Sequence, residues 1–163
     1  WLHKRWVGSV FFMAACRGLL ILLAASCVSQ DIPWQVWLHA LVIFAYIMGL
    51  TFTARGESRS ESLRSWPLSL LFLPLGAGLW LGRFDLPWVA PIALIFLTII
   101  TLSLRFLLKR DDPARIGKAV SLMLAGIAAA DALFLGSISG PIALSALACF
   151  AAARLLQRVV PAT

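Results

Sequence analysis

Three features of this 163-residue chain have side chains suited to chemistry. The first is Arg17, about ten residues into an apolar run. A cation at that depth costs a few kcal/mol in hydrocarbon, so it belongs against other helices or in a wet cavity. There it either offers fixed positive charge to an anionic group such as a diphosphate, or it snorkels or pairs with a buried acid. The second is the segment from Tyr46 to Arg59, where an apolar run meets charge. Arg55 and Glu57 stand at the end of that run, and Arg59, Glu61 and Arg64 follow. The guanidinium fork matches phosphate oxygens, so this segment reads either as a phosphate-gripping cap over a cavity or as a solvated basic loop. The third is Asp131, a carboxylate inside an apolar run. It is a site candidate, a partner for Arg17 across a bundle, or one half of an interhelical hydrogen bond.

Other chemistry is poorly represented. Asp111-Asp112 precede Pro113 among basic neighbours and read as a helix N-terminus, where carboxylates favour the dipole. His3 and His39 lack acidic or thiol neighbours at ligand spacing. Cys16, Cys27 and Cys149 form no CxxC pair and read as small apolar side chains in helix packing. No Ser-His-Asp arrangement, phosphate-cradling glycine loop or HExxH motif occurs. The net charge of +7 does not point to nucleic acid, because the basic residues flank apolar runs and form no face with interleaved aromatics.

The elements that must position these residues are membrane helices. The chain is 61% hydrophobic and 13% charged, with mean hydropathy +0.94, so a lipid bilayer must solvate much of its surface. The apolar runs predict an all-α polytopic bundle of about six spans, near 7–28, 33–53, 66–82, 86–108, 117–136 and 138–157. The third run is short and contains Pro67 and Pro74, which predicts a kink or tilt. The last two runs, joined by Gly136-Ser137-Ile138-Ser139-Gly140-Pro141, predict an antiparallel hairpin. Basic and non-basic connections alternate along the chain, which places both ends and the two long loops in the cytoplasm, with a bacterial plasma membrane as the expected setting. Trp34, Trp37, Trp66, Trp80 and Trp88 lie near span ends and read as interfacial anchors, with an aromatic ligand cage as the lesser alternative. Gly78 with Gly82, and the alanines around Asp131, predict close helix contacts.

Two stretches resemble a known family. Lys4-Arg5 followed by Met13-Ala14-Ala15-Cys16-Arg17-Gly18-Leu19, and Tyr46-Ile47-Met48-Gly49-Leu50-Thr51-Phe52-Thr53-Ala54-Arg55-Gly56-Glu57, look like motifs of UbiA-type intramembrane prenyltransferases in their divergent, EboC-like branch. Asp131-Ala132 and the closing Arg158 to Thr163 fit the same pattern. The resemblance implies that residues 1–163 are one membrane domain, the C-terminal part of a bundle of about nine spans. It implies transfer of a prenyl group from a prenyl diphosphate to an aromatic or other small acceptor, with magnesium bridging the diphosphate. On this chain the diphosphate contacts would be Arg17, Arg55, Arg59 and Lys4, with Tyr46 and Asp131 at the pocket and Glu57 as a metal ligand or partner of Arg55. The chain departs from the family where an aspartate cluster should close the second span, since Glu57 and Glu61 are the only acids there. A non-catalytic membrane protein that binds or moves an isoprenoid-linked metabolite is the alternative expectation.

Overall fold

A computed structural model of the protein describes residues 8–58, 65–81, 87–108 and 115–159. Seven helices and no strand occur among them. In chain order they are α1 (Gly8–Ser26), α2 (Trp34–Ser58), α3 (Ser65–Leu70), α4 (Leu73–Leu81), α5 (Val89–Leu108), α6 (Arg115–Gly136) and α7 (Gly140–Val159). The fold is all-α, as the apolar runs require. Five helices are long and apolar enough to cross a membrane: Gly8–Ser26, Trp34–Ala54, Val89–Leu108, Gly117–Gly136 and Gly140–Gln157. This is an integral membrane protein.

The third apolar run, Trp66–Leu81, is shorter, and it is broken rather than kinked. Leu71 and Phe72 form a turn, closed by Leu71 N–H donating to the Leu68 carbonyl at 3.2 Å and Phe72 N–H donating to the Ser69 carbonyl at 3.2 Å. Each proline sits in the first turn of its short helix, Pro67 in α3 and Pro74 in α4, where no intrahelical donor is needed.

The chain divides into two compact units, Trp1–Pro74 and Leu75–Thr163. In the first, α1 packs on α2 and α2 on α3. A tight connection joins α1 to α2: Cys27 N–H donates to the Leu23 carbonyl and Ser29 N–H to the Ala25 carbonyl, and the Pro33 carbonyl accepts from Val36 N–H. The buried stripe of α1 is Val10, Ala14 and Gly18, a four-residue repeat of small and β-branched residues that lets the helices approach closely. A methyl on Gly18 would lie 3.2 Å from the Ala40 carbonyl oxygen. One on Gly49 would lie 2.7 Å from the Pro67 carbonyl oxygen, so α2 and α3 touch backbone to backbone there. Gly18 and Gly49, one from each family-like stretch, are therefore helix-contact positions.

In the second unit α6 is the centre, packed on α5 and on α7. Of its apolar window 61% is buried, against 17% for α1. Of the alanines expected to pack, Ala125, Ala129, Ala130 and Ala132 are buried and Ala128 is half-buried. Gly78 lies against the Leu133 side chain, while its expected companion Gly82 is outside the described residues. The α6–α7 hairpin forms as expected, with Ser139 N–H donating to the Leu135 carbonyl at 2.8 Å and the Ser139 carbonyl accepting from Ala143 N–H at 3.1 Å.

Candidate functional site

The C-terminal half of α2 carries most of the residues that the sequence singles out. Its side-chain hydroxyls turn back on the helix. Thr51 Oγ1 donates to the Ile47 carbonyl and Thr53 Oγ1 to the Gly49 carbonyl, each at 2.7 Å. These threonines are satisfied locally, as an apolar environment demands. Tyr46 is fully buried and belongs to the core of the unit.

Three aromatic rings from three helices meet beside this segment. Phe11 of α1 and Phe52 of α2 pack edge to face, with centroids 6.5 Å apart and planes at 84°. Phe52 and Trp66 of α3 are closer, at 5.1 Å with planes tilted by 58°. Phe11 and Trp66 remain about half exposed, so the column is open on one side. Arg55 follows Phe52 by three residues, and Glu57 follows Arg55 by two; both are described as helical backbone only. Lys4 and Arg59 lie outside the described residues.

The contact between Phe11 and Phe52 fixes the relative level of the two antiparallel helices. Arg17 lies six residues beyond Phe11 in one direction and Arg55 three residues beyond Phe52 in the other. At 1.5 Å per residue their backbones are about 13 Å apart along the axis. Arg17 is exposed, at the edge of the stripe that packs on α2. Its Cα–Cβ bond leans toward the N-terminus of α1, the direction of the aromatic column. Asp131 is half-buried in α6 and belongs to the other unit.

Magnesium needs hard oxygen ligands, commonly one or two carboxylates together with substrate phosphate oxygens. Among the described residues no three His, Cys, Asp or Glu side chains come together. Glu57 is the one acid in α2, which is the minimum donor set for such an ion, and no chemical step is assigned to metal here.

The sequence reading missed Phe11 and Phe52 and placed an interfacial anchor ahead of an aromatic ligand cage for Trp66. Aromatic residues are common in membrane helices, and only the pairing of α1, α2 and α3 shows which of them meet. Trp34, Trp37, Trp66, Trp80 and Trp88 are all exposed near helix ends, as anchors should be. The cysteines correct another expectation: Cys16, Cys27 and Cys149 are free and exposed rather than packed between helices. A thiol is apolar enough to face lipid, so burial does not follow from its chemistry. His39 is buried in α2.

No family model matches the chain, and no curated protein and no solved structure matches it.

Proposed function

We propose that this membrane protein binds a prenyl diphosphate at the α1–α2–α3 end of its first unit and serves transfer of the prenyl group to an aromatic or other small acceptor. The observation that carries the reading is the aromatic column Phe11–Phe52–Trp66 lying one helical turn from Arg55. A prenyl diphosphate is amphipathic in the same order, with an apolar tail and an anionic head. Arg55, with Arg59 four residues on and Lys4 seven residues before Phe11, supplies cations for the diphosphate. The aromatic faces suit the allylic carbon, where positive charge develops as the bond to the diphosphate oxygen breaks. The diphosphate leaves with that electron pair, the acceptor bonds to the allylic carbon, and the acceptor loses a proton. Arg17, deeper along the axis, reaches the head group only with an extended side chain, and so ranks below Arg55. Magnesium, held by Glu57 and the diphosphate, would neutralise the leaving group. The resemblance of the two stretches to UbiA-type enzymes supports the same reading.

The reading includes topology. With basic connections in the cytoplasm, the α1–α2 connection lies outside a bacterial plasma membrane. Cys27, exposed just after α1, should then react with a membrane-impermeant maleimide added to intact cells. Labelling only after the cells are opened would reverse the orientation.

The decisive experiment measures geranyl diphosphate binding to purified protein in detergent, with and without magnesium, for the wild type, Arg55→Ala, Trp66→Ala and Arg17→Ala. Arg55→Ala should weaken binding about ten-fold or more, since a charge-assisted contact is worth about 1.5–3 kcal/mol. Trp66→Ala should weaken it less, and Arg17→Ala least. A wild type that does not bind ends the proposal. The single acid of α2 favours a second reading, a protein that binds or moves an isoprenoid-linked metabolite without transferring it. Binding without turnover on any aromatic acceptor, magnesium present, would select it.

A further inference from the structure

The second unit holds an arginine arranged very differently. Arg154, near the end of α7, is half-buried and fixed by neutral groups. Its Nη1 donates to Gln157 Oε1 at 2.8 Å and to Ser121 Oγ of α6 at 3.2 Å. Ser121 Oγ in turn donates to Gln157 Oε1 at 2.7 Å, and Gln157 Nε2 donates to the Ser121 carbonyl at 3.1 Å. The network ties α6 to α7 and sets the plane of the guanidinium. No carboxylate among the described residues takes part. The other edge of the guanidinium, the Nε and Nη2 fork, donates to nothing among the described residues. That edge is the one that grips two oxygens of a carboxylate or phosphate side by side.

Surroundings define what the fork would meet. Ser121 lies four residues into the candidate span Gly117–Gly136, and Arg154 three residues before the end of Gly140–Gln157. Both are therefore within about 6 Å of a span end, just below the lipid phosphates and within reach of a long arginine side chain. Arg105 near the end of α5 and Lys118 near the start of α6 lie at the same end of the unit, since residues 109–114 connect those helices. Over residues 105–118 and 154–158 the sequence carries seven basic residues and two acidic ones. Leu124, one turn deeper than Ser121, and Leu155, beside Arg154, are exposed apolar surface for acyl chains.

We infer that the Arg154–Ser121–Gln157 network is a binding site for the headgroup phosphate of an anionic phospholipid. The guanidinium fork takes the phosphate oxygens, and the exposed leucines of α6 and α7 lie along the acyl chains. The site is independent of the prenyl diphosphate reading and uses none of its residues.

The test is native mass spectrometry of the intact protein released from micelles containing equal phosphatidylglycerol and phosphatidylcholine. The wild type should retain phosphatidylglycerol in preference to phosphatidylcholine. Arg154→Gln should reduce retained phosphatidylglycerol about five-fold or more, and Arg154→Lys, which keeps the charge but loses the fork, about two-fold. Arg105→Gln, an exposed charge at the same end, should change it by less than about two-fold. A wild type without preference overturns the inference, whether or not the variants fold. An equal loss in Arg105→Gln and Arg154→Gln overturns it too, because it leaves only diffuse attraction to positive charge. Displacement of the lipid by millimolar inorganic pyrophosphate would make the ligand a soluble phosphate and overturn the lipid assignment.

Discussion

Arg17 and Arg154 are the same residue inside two candidate spans, and they stand at different depths and with different exposure. Arg17 is mid-span and exposed at the edge of a helix whose packed stripe is Val10, Ala14 and Gly18. Arg154 is near a span end, half-buried, and fixed by Ser121 and Gln157. The helices around them differ in the same sense. The first unit is joined by close backbone approach at Gly18 and Gly49 and by stacked rings. The second has a central alanine-rich helix and a polar clasp between α6 and α7. In lipid, where apolar surface gains nothing by leaving the solvent, close packing and interhelical hydrogen bonds are both valid ways to hold helices together. A site that must admit an apolar ligand fits the first; a site that must fix a charge fits the second.

Substitutions can break that contrast. The largest effect is expected at Gly49. Gly49→Ala places a methyl 2.7 Å from the Pro67 carbonyl oxygen and 2.9 Å from Leu70 Cβ, so α3 must move. The expected loss is about 1–3 kcal/mol by thermal or denaturant unfolding in detergent. An unchanged midpoint would show that backbone contact does not hold the first unit. Trp66→Ala should cost about 1 kcal/mol through loss of the Phe52 contact. If it costs nothing, the column exists for ligand rather than for stability, which the binding series would reveal. Ser121→Ala removes a hydroxyl that both donates and accepts in the clasp, and about 0.6–1 kcal/mol should be lost. A loss as large as that at Gly49 would make the clasp the main tie of the second unit. Gly76→Ala meets nothing within 4 Å and should stay within about 0.5 kcal/mol of wild type. It sets the baseline for the other three.

Much of this architecture can be read from the amino-acid order alone. Long apolar runs with basic ends leave few alternatives to helices, and Gly136 to Pro141 is too short for anything but a hairpin. Pro67 and Pro74 foretell trouble in the third run, yet a break looks the same as a kink in sequence, because both begin with a missing N–H. The candidate site is less legible. Arg55 and Glu57 stand out by charge. Phe11, Phe52 and Trp66 do not, since a ring is unremarked among so many apolar residues until three helices bring it to its partners. Arg154 and Gln157 are ordinary end-of-helix residues in sequence, and only Ser121, far along the chain, gives them a joint role. Glycine is the intermediate case: Gly18 and Gly49 are conspicuous, but the atoms that require them, the Ala40 and Pro67 carbonyl oxygens, are known only from the fold.

The broken run has a consequence for how the protein is made. Even as one continuous helix, Trp66–Leu81 would be about 24 Å long, below the thickness of the hydrocarbon, and the turn at Leu71 and Phe72 interrupts it. Such a segment partitions poorly on its own as it leaves the insertion machinery. The Gly49 surface of α2 is synthesised first and waits for it, with the backbone of α3 docking directly against that glycine. Packing against the second run, rather than its own length, is then what should hold the third run at the membrane, and the absent methyl of Gly49 is what permits that packing.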